Sequence, residues 1–145
     1  MPRPIAALIA VSTVAATLLM PVATPAASPI ASADPVVGPP FIVHTEWAKW
    51  GDLSSLRVYP SYAGRVVAGQ PGTIAQGEEA WTEVLAISPD ADLPGMREQF
   101  MCHWQFAEVV EPGKSSWNIE PWRPEVDDNT MMATGCNPGG TEEPF

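Results

Sequence analysis

The sequence predicts a small single α+β domain, with antiparallel β-hairpins packed against one or two helices and one disulfide. Three observations carry this: period-two alternation on either side of two turn signals, one amphipathic helical stretch, and two cysteines.

The first hairpin comes from Phe41–Trp47 and Ser55–Tyr59, joined through Trp50-Gly51-Asp52-Leu53. A turn centred on Gly51 and Asp52 sets Trp47 opposite Leu56 and Thr45 opposite Val58 on the inner face. On the outer face it sets Glu46 opposite Arg57 and His44 opposite Tyr59. An exposed Glu/Arg pair contributes at most about 1 kcal/mol, so it reports register more than stability. Pro60 stops the strand, Ser61–Ala68 reads as one or two helical turns, and Gly69–Gly72 as a break.

Thr73 with Gln76 makes a capping-box signature. Ile74, Ala80, Trp81, Val84, Leu85 and Ile87 then fall on one side of a helix, with Glu79, Thr82, Glu83 and Ala86 on the solvated side, and Pro89 ends it. Asp90 and Asp92 in the following loop are too few to make a calcium site.

The second hairpin is built on Gln99–Ala107. Phe100, Cys102, Trp104 and Phe106 share one parity; Met101, His103, Gln105 and Ala107 share the other. Ser115–Trp122 supplies the partner strand, and Glu111-Pro112-Gly113-Lys114 the turn. Placing 111 opposite 114 pairs Phe106 with Ile119 and Trp104 with Pro121, and on the outer face His103 with Trp122 and Gln105 with Glu120. Met96–Cys102 could also open a helix, which is the competing reading. Val126–Gly135 reads as a short helix whose Met131 and Met132 cover the sheet.

Residues 1–33 read as a secretory signal peptide: Arg3, the apolar run Ile5–Met20, and the small-residue site Ala31-Ser32-Ala33. The run falls short of the roughly 20 residues of a membrane helix, so an uncleaved anchor is the weaker alternative. Residues 34–40 then form a proline-rich linker, 41–136 a single globular domain and 137–145 a loose tail. Of 17 acidic and seven basic residues only Arg3 lies in the leader, so the mature part carries −11. That charge excludes nucleic acid and anionic membrane as partners, and after cleavage no stable membrane insertion is expected.

Cys102 and Cys136 are expected to form a disulfide in an oxidising compartment. Zinc held by both with His44 and His103 is the competing reading, and it lacks the usual ligand spacing.

Four segments, Glu46-Trp-Ala-Lys-Trp-Gly51, Ser55-Leu-Arg-Val-Tyr-Pro60 with Gly64-Arg65, Gln99-Phe-Met-Cys-His-Trp-Gln-Phe-Ala107 and Ser116-Trp-Asn-Ile-Glu-Pro-Trp-Arg-Pro124, carry a resemblance. The pattern resembles a family of secreted actinobacterial proteins classed as a domain of unknown function. The resemblance implies an exported, disulfide-bearing, mycobacterial-type secreted or envelope protein and supplies no activity.

No Gly-x-Ser-x-Gly elbow, His-Glu-x-x-His pair or glycine-rich phosphate loop occurs in the sequence. Neither a cofactor nor a metal is expected. The residues point to a non-catalytic binding module for an unknown protein or envelope glycan, with His103, Glu120 and Trp122 together on the outer face of the second hairpin as the binding patch. The alternative is a small envelope-associated hydrolase using His103 and Glu120.

Overall fold

The computed structural model describes residues 37–140. The expected signal segment, the start of the linker and residues 141–145 lie outside them. Strands β1 (Ile42–Trp50) and β2 (Leu53–Pro60) form the first hairpin in the register the alternation dictates: Trp47 faces Leu56, Thr45 faces Val58, Glu46 faces Arg57 and His44 faces Tyr59. Leu56 and Val58 are fully buried, so a one-residue slip would put polar neighbours in the core.

Helix α1 (Tyr62–Ala68) starts at Ser61, whose hydroxyl accepts the Gly64 N–H (3.0 Å) and donates to the Pro40 carbonyl (2.8 Å). Its first turn presses on the chain entering β1. A Cβ on Gly64 would stand 2.2 Å from the Phe41 carbonyl oxygen, so only glycine fits there.

Helix α2 (Ile74–Ile87) forms where the sequence places it, but the capping box does not. The Thr73 hydroxyl donates to the Gln70 carbonyl and accepts from the Trp104 indole N–H, which also reaches the Thr73 carbonyl. A buried indole donor outcompetes the local cap. Glu83 also departs from expectation: instead of facing water, its carboxylate accepts the backbone N–H of both Phe41 and Ile42 (2.7 and 2.8 Å), tying α2 to the start of β1.

The second hairpin is replaced by a helix. Residues Met96–Val110 form α3, so Phe106 does not pair with Ile119, nor His103 with Trp122. The physical reason lies in which side chains are buried. Met96, Phe100, Trp104 and Ala107 recur at helical spacing and enter the main core, while Cys102 and Phe106 point to a second cluster with Met131 and Cys136. A helix apolar on two sides loses the clean 3.6-residue stripe, and its 100/102/104/106 apolar run then mimics a strand. Pro112 and Gly113 follow the end of the helix instead of turning a hairpin.

The partner segment does form a strand, β3 (Trp117–Ile119), but it pairs antiparallel with β2: Leu56 faces Ile119 and Val58 faces Trp117. The sheet order is β1-β2-β3. The α+β class therefore stands, with an antiparallel sheet covered by helices and with Cys102 bonded to Cys136. That bond removes the zinc reading. Between sheet and helices sits an aromatic cluster: Trp104 lies edge-on to Phe41 (5.6 Å) and to Trp117 (6.1 Å), and Phe100 packs against Trp81 (5.4 Å) and Trp117 (6.0 Å). Such pairs each add about 0.5–1.5 kcal/mol beyond burial.

Helix α4 (Asp128–Ala133) is capped by Asp127, whose carboxylate accepts the Thr130 N–H at 2.8 Å, and it buries Met131 but leaves Met132 half-exposed. Residues 137–140, expected to belong to a loose tail, are held by the domain: Pro138 is buried, and the Pro138 and Gly140 carbonyls accept from the Arg123 guanidinium (3.2 and 3.1 Å). Among the described residues no helix is long and apolar enough to cross a membrane.

Candidate functional site

The three residues expected to form an exposed patch occupy three different settings. With residues 96–110 helical, Gln99 and His103 stand one turn apart on the side of α3 that faces β3. His103 Nε2 bonds the Asn118 carbonyl at 2.9 Å. The Gln99 amide donates to the Glu120 carbonyl (2.9 Å) and accepts the Glu120 N–H (3.0 Å). The two side chains thus take up the backbone groups on the free edge of β3, where a fourth strand would otherwise pair. His103 is 6% exposed.

Glu120 is fully buried. One carboxylate oxygen accepts the Ser55 hydroxyl at 2.6 Å, and the other the Arg123 Nε. Arg123 is itself buried and holds the Pro138 and Gly140 carbonyls, so one ion pair joins β2, the end of β3 and the last described turn. Trp122 is half-buried. Its indole donates to the Ser54 carbonyl (3.1 Å) and its ring covers the Arg123 guanidinium at 4.6 Å. The exposure on which a shared patch depends is therefore missing for His103 and Glu120. A hydrolase using this pair loses its footing as well, because Glu120 presents no oxygen to solvent.

Sequence reasoning missed a concave surface along α3. Where α4 is stapled across α3 by Cys102–Cys136, recesses open on both sides of it. One, of about 350 Å³, lies between α2, α3 and α4 and is lined by Ile74, Glu78, Arg97, Glu98, Met101 and Asp128, among others. The second, of about 310 Å³, lies between the C-terminal half of α3 and the Gly135–Asn137 turn, with Ala107, Val110, Glu111 and Lys114 in its wall and His103 at its base. Phe106 and Met132 line both, and Phe106 also lines a third of about 230 Å³ beneath the Gln70–Ile74 loop.

Ile74, Val110 and Met132 stand exposed around these recesses. In the first recess Arg97 is paired with Glu78 and Glu98, and its hydrogen bond to Glu78 raises its pKa above the ordinary guanidinium value. The signal that could have located the surface is Phe106 with Met131 and Met132: apolar residues on elements too short or too two-sided to bury them all.

Comparison with known proteins bears on the whole domain. An uncharacterised protein of Mycobacterium tuberculosis is 54% identical over 149 residues, covering 96% of this chain and 99% of its own length. One from Mycobacterium bovis matches to the same extent. An uncharacterised Mycobacterium leprae protein is 52% identical over 103 residues, covering 71% of this chain and 83% of its own. No solved structure matches. The family model described as "Protein of unknown function (DUF2599)" spans residues 42–139, from the first residue of β1 to the turn held by Arg123, and the chain belongs to that family.

Proposed function

We propose that the protein is exported and acts, without catalysis, as a binding module for a protein or envelope glycan, its working surface being the concave face centred on Phe106. The observation that carries this reading is the set of adjoining recesses sharing Phe106, each of the first two at the lower end of the size range of ligand sites and rimmed by exposed Ile74, Val110 and Met132. His103 keeps a part as the base of one recess, while Glu120 and Trp122 support the framework from behind. A disulfide closing over a small core suits an oxidising compartment, and the leader-like first 33 residues agree with export.

Retention of envelope glycan and secreted proteins on immobilised domain tests the surface. Met132→Glu abolishes retention while Val43→Glu, at an exposed position of β1, preserves it; equal retention by both removes the concave face from consideration. For export, N-terminal sequencing of protein from culture supernatant returns Asp34, and a start at Met1 or Pro2 contradicts cleavage.

A further inference from the structure

Resting on that reading, the geometry points to the occupant: a protein segment carrying a lysine or arginine next to a large apolar side chain. The two main recesses meet at Phe106 and Met132 but differ in character. The first carries the carboxylates of Glu78, Glu98 and Asp128 against the single cation Arg97, already engaged by two of them. Asp128 is exposed and has no ion-pair partner among the described residues. The second recess pairs its Glu111 with Lys114 (3.5 Å) and has Phe106, Ala107, Val110 and Met132 as its apolar wall, with His103 at its base and Asn137 at its edge.

A cation therefore fits at one end and an apolar side chain at the other, with Met132 as the adaptable ridge between them. The choice of sign follows the protein as a whole, whose formal charge of −10 draws cationic partners and repels anionic ones.

The test uses amide NMR spectra of the full domain titrated with a short Lys/Leu peptide, its Gln/Leu and Glu/Leu counterparts, and a soluble peptidoglycan fragment. The Lys/Leu peptide moves amides of Arg97–Phe106 and Asp128–Met132, and its affinity falls as salt is raised. Asp128→Lys, which removes one attraction and adds a repulsion at an exposed site, weakens it by at least about fivefold. Glu98→Lys does the same if Asp128→Lys disturbs α4.

Equal binding of the Gln/Leu or Glu/Leu peptide at these amides overturns the cationic occupant and leaves the concave face intact. Movement with the peptidoglycan fragment alone also overturns it, in favour of a glycan. Shifts scattered over the acidic surface and indifferent to Asp128→Lys sink the proposal. If no probe moves these amides, the surface itself fails along with it.

Discussion

Glu120 and Arg123 show how far a residue's role depends on what its neighbours become. On a hairpin face Glu120 would meet water; at the end of a three-residue strand pinned by Gln99 it meets Ser55 and Arg123 with no exposure at all. Removing one partner strands a buried charge, so Glu120→Ala or Arg123→Ala is expected to cost about 3–5 kcal/mol in urea unfolding. Asp128→Asn should cost almost nothing. Trp122→Ala, nearly neutral had the ring been an exposed contact, is expected to lose about 2 kcal/mol by uncovering Arg123 and freeing the Ser54 carbonyl. Gly64→Ala is expected to destabilise by at least about 1–3 kcal/mol, because the atom met at 2.2 Å is backbone and cannot swing away. Thermal melts order these variants, and a stable Gly64→Ala protein would contradict the tight α1–β1 approach.

At the scale of elements, the first hairpin was legible down to single pairs because its two faces differ so sharply: Trp47, Leu56 and Val58 on one, Glu46 and Arg57 on the other. Helix α2 was legible in extent, with Ala80, Trp81 and Val84 buried as expected, but Ile74 and Ile87 at its ends are exposed and Glu83 is bonded to β1 instead of facing water. Helix α3 was not, since burying Phe100 and Trp104 on one side, Cys102 and Phe106 on another, and the polar Gln99 and His103 against β3 erases the contrast that periodicity needs. The Cys102–Cys136 pairing was legible from cysteine number, since two cysteines allow a single pairing.

At a sequence separation of 34, the two bonded cysteines contribute about 3–4 kcal/mol on the chain-entropy model. Reduction should lower stability by that amount and raise hydrogen exchange in α4 before the sheet; uniform exchange would argue against α4 as a stapled appendage. The Asp127 cap adds a pH signature. Its carboxyl is held below the ordinary 3.8 by the hydrogen bond from the Thr130 N–H. The cap's stabilisation is thus complete above that value and lost as pH falls through the lower folded one, so α4 frays on strong acidification, and Asp127→Asn removes this dependence.

Considered whole, the molecule is a framework with one flank left open. The class and the disulfide were readable because burial pattern and redox chemistry are local to the chain. The concave surface was not, because it exists only where α4 crosses α3, and that crossing follows from a helix the alternation concealed. Buried His103, Glu120 and half-buried Trp122 hold β3 and the last turn in place; exposed Met132, Val110 and Ile74 rim the recesses, where the proposed ligand would sit. The most direct measurement is a hydrogen-exchange footprint of the domain with and without the component it retains from envelope extract. Protection concentrated at Met101–Val110 and Met131–Cys136 is the expected result. Protection of the β1–β2 hairpin, with those segments unchanged, would contradict the account.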